Sequence, residues 1–277
     1  MRFKILKKVT LSDSTFWLKV EAARIAKKCR PGQFVIIRLN DTGERIPLTI
    51  VDRDLSEGSI ALYVKIAGKT TALLGSKSAG DEILDVAGPL GTPSPLENYG
   101  TAVCVGGGIG VAAIYPIAKG LKEAGNRVIG LIGADRAQHC ILEEEMRGVC
   151  DKLLIATDDG SKGHRGFVTE LLKNLIDSGE KIDYVIAIGP LPMMKAAANV
   201  TKPSGIKTSV SLNPIMVDGS GMCGGCRVSV GGETKFACVD GPEFDGHKVD
   251  FEGLSRRLAA YRDYEEAATN SCRSIPR

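Results

Sequence analysis

The sequence predicts a chain of β + α/β class in three parts. These are an antiparallel barrel over residues 1–97, a parallel-sheet α/β unit over 98–205, and a small cysteine-bearing segment with a terminal helix over 206–277. Three observations carry this. Residues 1–97 hold short Val/Ile/Leu/Thr runs parted by Gly, Pro, Asp and Asn. From about residue 100, apolar runs alternate with helical patterns. Beyond that, Cys223, Cys226 and Cys238 cluster, while the other cysteines are scattered singly. A length of 277 residues suits such a division, at roughly 150 residues per domain.

In the first part, "RFKILKKVTL", "TFWLKVEA", "GQFVIIRL", "RIPLTIVDR" and "SIALYVKI" each read as a strand. The close spacing of the turns is that of an antiparallel barrel or sandwich. "GKTTALLGS" reads as a short helix, and "DEILDVAGPLGTP" ends the block at a Gly/Pro-rich boundary. In the second part, "GTAVCVGGGIG", "NRVIGLIGA", "DKLLIAT" and "DYVIAIG" read as buried strands. Between and after them, "VAAIYPIAKGLKEAG", "AQHCILEEEMRGVC", "FVTELLKNLIDSG" and "PLPMMKAAANVT" read as helices. Such alternation implies a parallel sheet covered on both faces. In the last part, "KTSVSLNPIMVDGSG" and "CRVSVGGETKFACVDG" suggest short strands around the cysteine loops, with "SVGGETKF" a hairpin. "EGLSRRLAAYRDYEEAATNS" has a charged helical pattern with a thin apolar stripe.

Composition narrows the classes. Hydrophobic content of 43% and charged content of 25% are those of an ordinary globular protein. A net charge of +3 with no Lys/Arg stripe argues against nucleic-acid binding. The basic N-terminus lacks the apolar core of a signal peptide. "AVCVGGGIGVAAIYPIA" is interrupted by Gly and Pro and falls short of the ~20 apolar residues of a membrane span. A cytoplasmic protein is expected, and there a cysteine cluster favours metal or redox chemistry over disulfides.

Spacing is most specific at the cysteines. Plant-type 2Fe–2S proteins use Cys-x4-Cys-x2-Cys with a distant fourth cysteine. Here the run is Asp218-x4-Cys223-x2-Cys226-x11-Cys238, so Asp218 stands in the first ligand's place. A carboxylate is harder than a thiolate but is anionic and binds iron. Gly219, Gly221, Gly224 and Gly225 permit a tight wrap with main-chain N–H groups turned toward sulfur. Two other readings stay open: structural zinc on Cys223, Cys226 and Cys238 with His247 or Asp218, and a redox dithiol at Cys-x-x-Cys. Cys272 rivals Asp218 as the fourth ligand.

"VGGGIG" follows a strand and opens a helix, with Gly107, Gly108 and Gly110 able to pass close to a pyrophosphate at a helix N-terminus. A tight turn without a ligand is the plainer alternative. "GADR" (with Asp135 and Arg136), "TDDGS" (with Asp158) and "GPLPMMK" (with Gly189, Pro190 and Met193) end successive strands, where open α/β sheets bind ligands. Asp135 would accept from a ribose hydroxyl, favouring NAD(H), or would cap a helix. "GKTT" is not half of a P-loop, because Tyr63 stands where the first glycine would be.

The barrel followed by a nicotinamide-type unit resembles the ferredoxin–NADP reductase superfamily. That resemblance implies FAD on "RIPLT", through Arg45, Pro47, Leu48 and Thr49, and on "GKTT", through Gly68, Thr70 and Thr71. Pro47 stands where the superfamily usually has tyrosine. With the cysteine segment added, the chain is similar to electron-transfer subunits of the dihydroorotate dehydrogenase type, which carry FAD and a C-terminal 2Fe–2S cluster. Those subunits have four cysteines. An aspartate in the first place resembles the small subunits of NADH-dependent reduced ferredoxin:NADP oxidoreductases. The resemblance implies a heterodimer with a larger FAD and iron–sulfur flavoprotein. It also implies hydride exchange between NAD(H) and FAD, single electrons passed through the cluster, and electron bifurcation that reaches ferredoxin through the partner. Thr49 would lie near the flavin, and no side chain is assigned as an acid–base catalyst. Two alternatives are the same chemistry serving a dihydroorotate dehydrogenase, and a non-enzymatic nucleotide-binding zinc or redox sensor.

Overall fold

The structure is a computed structural model that describes residues 2–265 and 267. The first unit contains β1 (Phe3–Thr10), β2 (Thr15–Glu21), the one-turn helix α1 (Ala23–Ala26), β3 (Phe34–Arg38), β4 (Arg45–Asp54), β5 (Ser59–Lys65), α2 (Lys69–Ser76), β6 (Glu82–Ile83) and β7 (Asp85–Leu90). These strands form one antiparallel sheet in the order β6-β1-β2-β5-β4-β3-β7. Only Leu84 separates its two edge strands, so the sheet curls back on itself as a near-barrel. Alternation along the strands turns Leu18, Val20, Val35, Ile37, Ile60 and Leu62 into its core.

The second unit contains β8 (Thr101–Gly107), α3 (Gly110–Glu123), β9 (Arg127–Ala134), α4 (Glu143–Val149), β10 (Lys152–Thr157), β11 (His164–Arg165), α5 (Val168–Asp177), β12 (Tyr184–Ile188), α6 (Leu191–Thr201) and β13 (Lys207–Ser211). Each residue of β8 is buried, as a parallel strand covered on both faces must be. The sheet order is β11-β10-β9-β8-β12-β13-β16, where β16 (Glu243–Asp245) joins antiparallel at the edge. Chain order reverses between β8 and β12, which makes their C-terminal ends the topological switch point. The sheet thus runs past residue 205. "KTSVS" supplies its sixth parallel strand, beyond the boundary read from sequence.

A single helix over "AQHCILEEEMRGVC" does not form. A 3₁₀ turn (Ala137–His139) and α4 replace it, divided by Leu142 at φ 55°. Tertiary contacts explain the break. The Ala137 N–H donates to Ser161 Oγ, His139 turns to Asp135, and Leu142 packs against the cluster containing Ile114 and Met146.

In the last unit, β14 (Arg227–Val230) and β15 (Glu233–Phe236) form the expected hairpin through Gly231 and Gly232, both at positive φ. α7 (Phe251–Ala259) starts at Asp250, whose carboxylate accepts from the Gly253 N–H, and buries Phe251 and Leu254 against the parallel sheet's core. Among the described residues, no helix is long and apolar enough to cross a membrane.

Candidate flavin, nucleotide and iron–sulfur site

β4 has two faces with different fates. Ile46 and Leu48 pack against the barrel core, so Arg45, Pro47 and Thr49 share the outer face. Leu48 is therefore the one member of the "RIPLT" set turned inward. Residues 45–49 pair only with β3, and the Ile50 N–H donates to the Gln33 carbonyl. By alternation, the main chain of Pro47 points away from β3, where no N–H is needed.

Beside this face lies the N-terminus of α2. Thr71 Oγ1 accepts from the N–H groups of Ala67 and Gly68, which fixes the turn. Buried Thr70 donates to Glu44 Oε2 at 2.8 Å, tying the helix start to the residue before Arg45. Arg45 is exposed and makes no hydrogen bond or ion pair among the described residues. A free guanidinium next to a helix N-terminus fits the pyrophosphate of FAD, since both offer N–H donors to an anion.

The outer face of β3 is covered by the cysteine segment. Phe34, Ile36 and Leu90 pack with Met216, Cys226, Ala237 and Cys238. Phe34 stands opposite Thr49 and Ile36 opposite Pro47. The cysteine loop and the candidate flavin face therefore lie on neighbouring strands of one surface, a strand spacing of about 4.8 Å apart in the sheet.

Within the loop, the sulfurs of buried Cys226 and Cys238 are 3.1 Å apart and unbonded. The Cys238 N–H points at Cys226 Sγ, and the Gly225 N–H at the sulfur of exposed Cys223, each at 3.5 Å. Burial and the neighbouring Cys226 sulfur push the Cys238 thiol up. A cationic metal centre beside this buried sulfur pair would reverse that preference at Cys238. Asp218 Oδ1 accepts from the Ser220 N–H at 2.8 Å, and Oδ2 from the Cys223 N–H at 3.0 Å. Those bonds hold its carboxyl below the usual range and leave lone pairs free for iron.

His247, the alternative zinc ligand, is engaged elsewhere, 2.9 Å from Thr201 Oγ1. Among the described residues, no three His, Cys, Asp or Glu groups converge on a single ion. Cys272 lies outside the described residues.

At the switch point, Gly107, Gly110, Gly189, Pro190 and Met193 meet. A Cβ on Gly110 would collide with the Ile188 carbonyl, and one on Gly107 with Met193 Sδ. Gly108 has open space beside it, and its N–H donates to the Gly133 carbonyl at 2.8 Å.

Asp135, at the end of β9, is no helix cap. Its Oδ1 accepts from the Arg136 N–H at 3.0 Å and meets His139 Nδ1 at 2.6 Å, while Arg136 Nε lies 3.5 Å from Oδ2. Partial burial works against ionisation, but His139 and Arg136 outweigh it and lower the pKa of Asp135. Asp158 behaves oppositely: burial, then the charges of Asp135 and Asp159, raise it.

Sequence reasoning missed the cover on β3. The signal was present in "FVII", a run without alternation, which is how a strand buried on both faces reads. Glu44 and Ser94, which bind distant segments through single hydrogen bonds, carried no such signal.

Comparisons with known proteins agree with this architecture. A family model described as the oxidoreductase FAD-binding domain matches residues 2–94. One described as the iron–sulfur cluster binding domain of dihydroorotate dehydrogenase B matches residues 213–250. The chain is 50% identical to a Thermotoga maritima protein named dihydroorotate dehydrogenase B (NAD(+)), electron transfer subunit homolog, over 95% of this chain and 93% of that one. It is 34% identical to the electron transfer subunit of Geobacillus thermodenitrificans, over 90% and 97% of the two chains.

A solved structure of NADH-dependent reduced ferredoxin-NADP oxidoreductase, described for flavin-based electron bifurcation, superposes with a TM-score of 0.91. It shares 48% identity, over 97% of this chain and 96% of that one. The ferredoxin reductase of carbazole 1,9a-dioxygenase, at 18% identity and a TM-score of 0.62 over 74% of this chain and 66% of that one, shares the fold alone.

Fold and site together define a ferredoxin reductase-like oxidoreductase subunit that uses FAD and an iron–sulfur cluster for electron transfer. The chain belongs to the family of dihydroorotate dehydrogenase B electron-transfer subunits and their homologues.

Proposed function

We propose that this chain accepts electrons from, or returns them to, NAD(H) and relays them singly to a larger flavoprotein partner in an electron-bifurcating NADH-dependent ferredoxin:NADP oxidoreductase. The observation that carries the reading is the juxtaposition of Thr49 and Pro47 with Phe34 and Ile36, which back the cysteine loop. When bound, FAD exchanges a hydride with the nicotinamide and single electrons with an iron–sulfur cluster.

The residues position these groups. Arg45, Gly68, Thr70 and Thr71 form the anion-binding end of the flavin site, and Pro47 and Thr49 form its wall. Cys223, Cys226 and Cys238 hold the cluster with Asp218. The outer side of β4 abuts α3, so Gly107, Gly108 and Gly110 deliver the nucleotide to that wall. Gly189, Pro190 and Met193 close the other side of the nucleotide cleft. Asp135 with Arg136, and Asp158, line the ribose end. The acidic side chains there disfavour a 2′-phosphate and support NAD(H) over NADP(H).

Asp218 supports the bifurcating assembly over a dihydroorotate dehydrogenase, whose electron-transfer subunits carry four cysteines. Affinity purification of the chain from its native host, with the co-purifying subunit identified, tests this. A larger subunit with its own FAD and iron–sulfur clusters is expected, and a pyrimidine-oxidising barrel enzyme would overturn the choice.

A further inference from the structure

One half-buried acid with a solvent-excluded carboxylate oxygen has no part in the flavin, nucleotide or cysteine site. Glu243, on β16, accepts a hydrogen bond from Ser94 through Oε1, while Oε2 is shut off from solvent with no partner among the described residues. A buried, unpaired carboxylate is costly and calls for a function.

Its position is specific. The strap after β7 is stitched to the cysteine segment. The Gly91 N–H donates to the Cys238 carbonyl at 3.2 Å, and the Thr92 N–H to the Gly241 carbonyl at 2.6 Å. Thr92 Oγ1 reaches the Val239 carbonyl at 3.1 Å, and Ser94 reaches Glu243. Glu243 and the candidate ligand Cys238 are therefore both held by this strap, through Ser94 and Gly91 respectively. It lies five residues farther along the chain, within about 18 Å even if that stretch were fully extended.

Among the described residues, no cation pairs with it. Tyr99 before β8, Cys104 on β8 and Tyr184 on β12 are the titratable groups that sense its charge. Lys207, on β13, lies over the rings of Tyr99 and Tyr184 instead.

We propose that Glu243 is the proton acceptor for electrons arriving at the cysteine loop. As an electron supplied by the reduced nucleotide through FAD arrives, Glu243 takes up a fraction of a proton from hydronium or a buffer acid, which is left as water or the buffer base, and the proton forms an O–H bond on Oε2. The added negative charge favours that protonation, and by linkage the protonation favours the electron. Burial already holds this carboxyl at about 7, where it can switch near neutral pH.

The inference rests on the iron–sulfur reading, and one experiment separates the two. The purified holoprotein is assayed for iron and sulfide, and its cluster is titrated by EPR-monitored potentiometry from about pH 6 to about pH 8. At a fixed electrode potential, the reduced-to-oxidised ratio should fall severalfold as pH rises. In Glu243→Gln it should stay constant at the wild-type low-pH value. A loaded wild-type cluster with a pH-independent ratio overturns the proposal even if the variant fails to fold. A variant that keeps the wild-type pH response also overturns it. A protein without iron and sulfide overturns the iron–sulfur reading and this inference together.

Discussion

The glycine loop after β8 and the cysteine loop before β14 are both glycine-rich, yet glycine serves different physics in each. At Gly110 the backbone conformation is ordinary, and what excludes a side chain is the Ile188 carbonyl packed against it. At Gly224 the φ of +67° demands glycine, while the nearest atom to an added Cβ is 3.9 Å away. In the nucleotide loop, Gly107 and Gly110 are set by crowding between chain segments that meet at the switch point, while Gly108, at φ +55° in open space, is set by its turn. In the cysteine loop, Gly224 is set by its local turn, main-chain N–H groups aim at Asp218 and sulfur, and Gly219 is also crowded, by Leu90. A glycine motif in the first setting reports packing as much as ligand binding. In the second it reports the shape of the centre it wraps.

This contrast can be broken by substitution. Gly110→Ala should have the largest effect, destabilising the protein by about 3 kcal/mol or more as the α3 start is forced off β12. Thermal unfolding checks this, and a change below about 1 kcal/mol would remove the crowding argument. Asp218→Ala should come next, lowering the thermal midpoint as the loop loses two N–H contacts. Iron and EPR assays add a second reading of the same variant: cluster content should fall, whereas Asp218→Cys should keep a 2Fe–2S cluster with an altered potential. Gly224→Ala should cost about 1–2 kcal/mol from left-handed strain alone, leaving the nucleotide unit unchanged by nucleotide titration.

Asp135→Asn should be smallest in stability, about 0.2–1 kcal/mol for an exposed contact. Because the folded pKa of Asp135 is depressed, its contribution is present above the unfolded carboxylate pKa and lost as pH falls through the folded one. The difference between Asp135→Asn and wild type should therefore vanish in acid. The same variant should bind NADPH better relative to NADH.

Much of the architecture was legible because its signals are local. "TFWLKVE" alternates and "TAVCVGG" does not, and these patterns separate a barrel strand from a parallel one. The iron–sulfur segment around Cys223, Cys226 and Cys238 was legible for the same reason, since cysteine spacing is a property of the chain itself. The parts that were not legible depend on distant partners. "KTSVS" reads as a loop-flanking strand until β12 and β16 are seen on either side of it. The helix over 137–150 fails because Ser161 and Asp135 claim its first turn. Leu48 belongs to a binding motif by position but faces the core once β4 is placed in the sheet. Glu243 is a plain surface acid by sequence and becomes half-buried only where the strap and β16 meet.

The outer surface of the barrel sets the candidate flavin face and the cysteine loop side by side, so reduction at one should reach the other. Anaerobic mixing of the purified holoprotein with NADH, following flavin absorbance and the EPR signal of the reduced cluster together, tests it most directly. Flavin bleaching should be accompanied by the reduced 2Fe–2S signal within the same turnover, with no partner subunit present. A flavin that bleaches fully beside a loaded cluster that stays oxidised would contradict it.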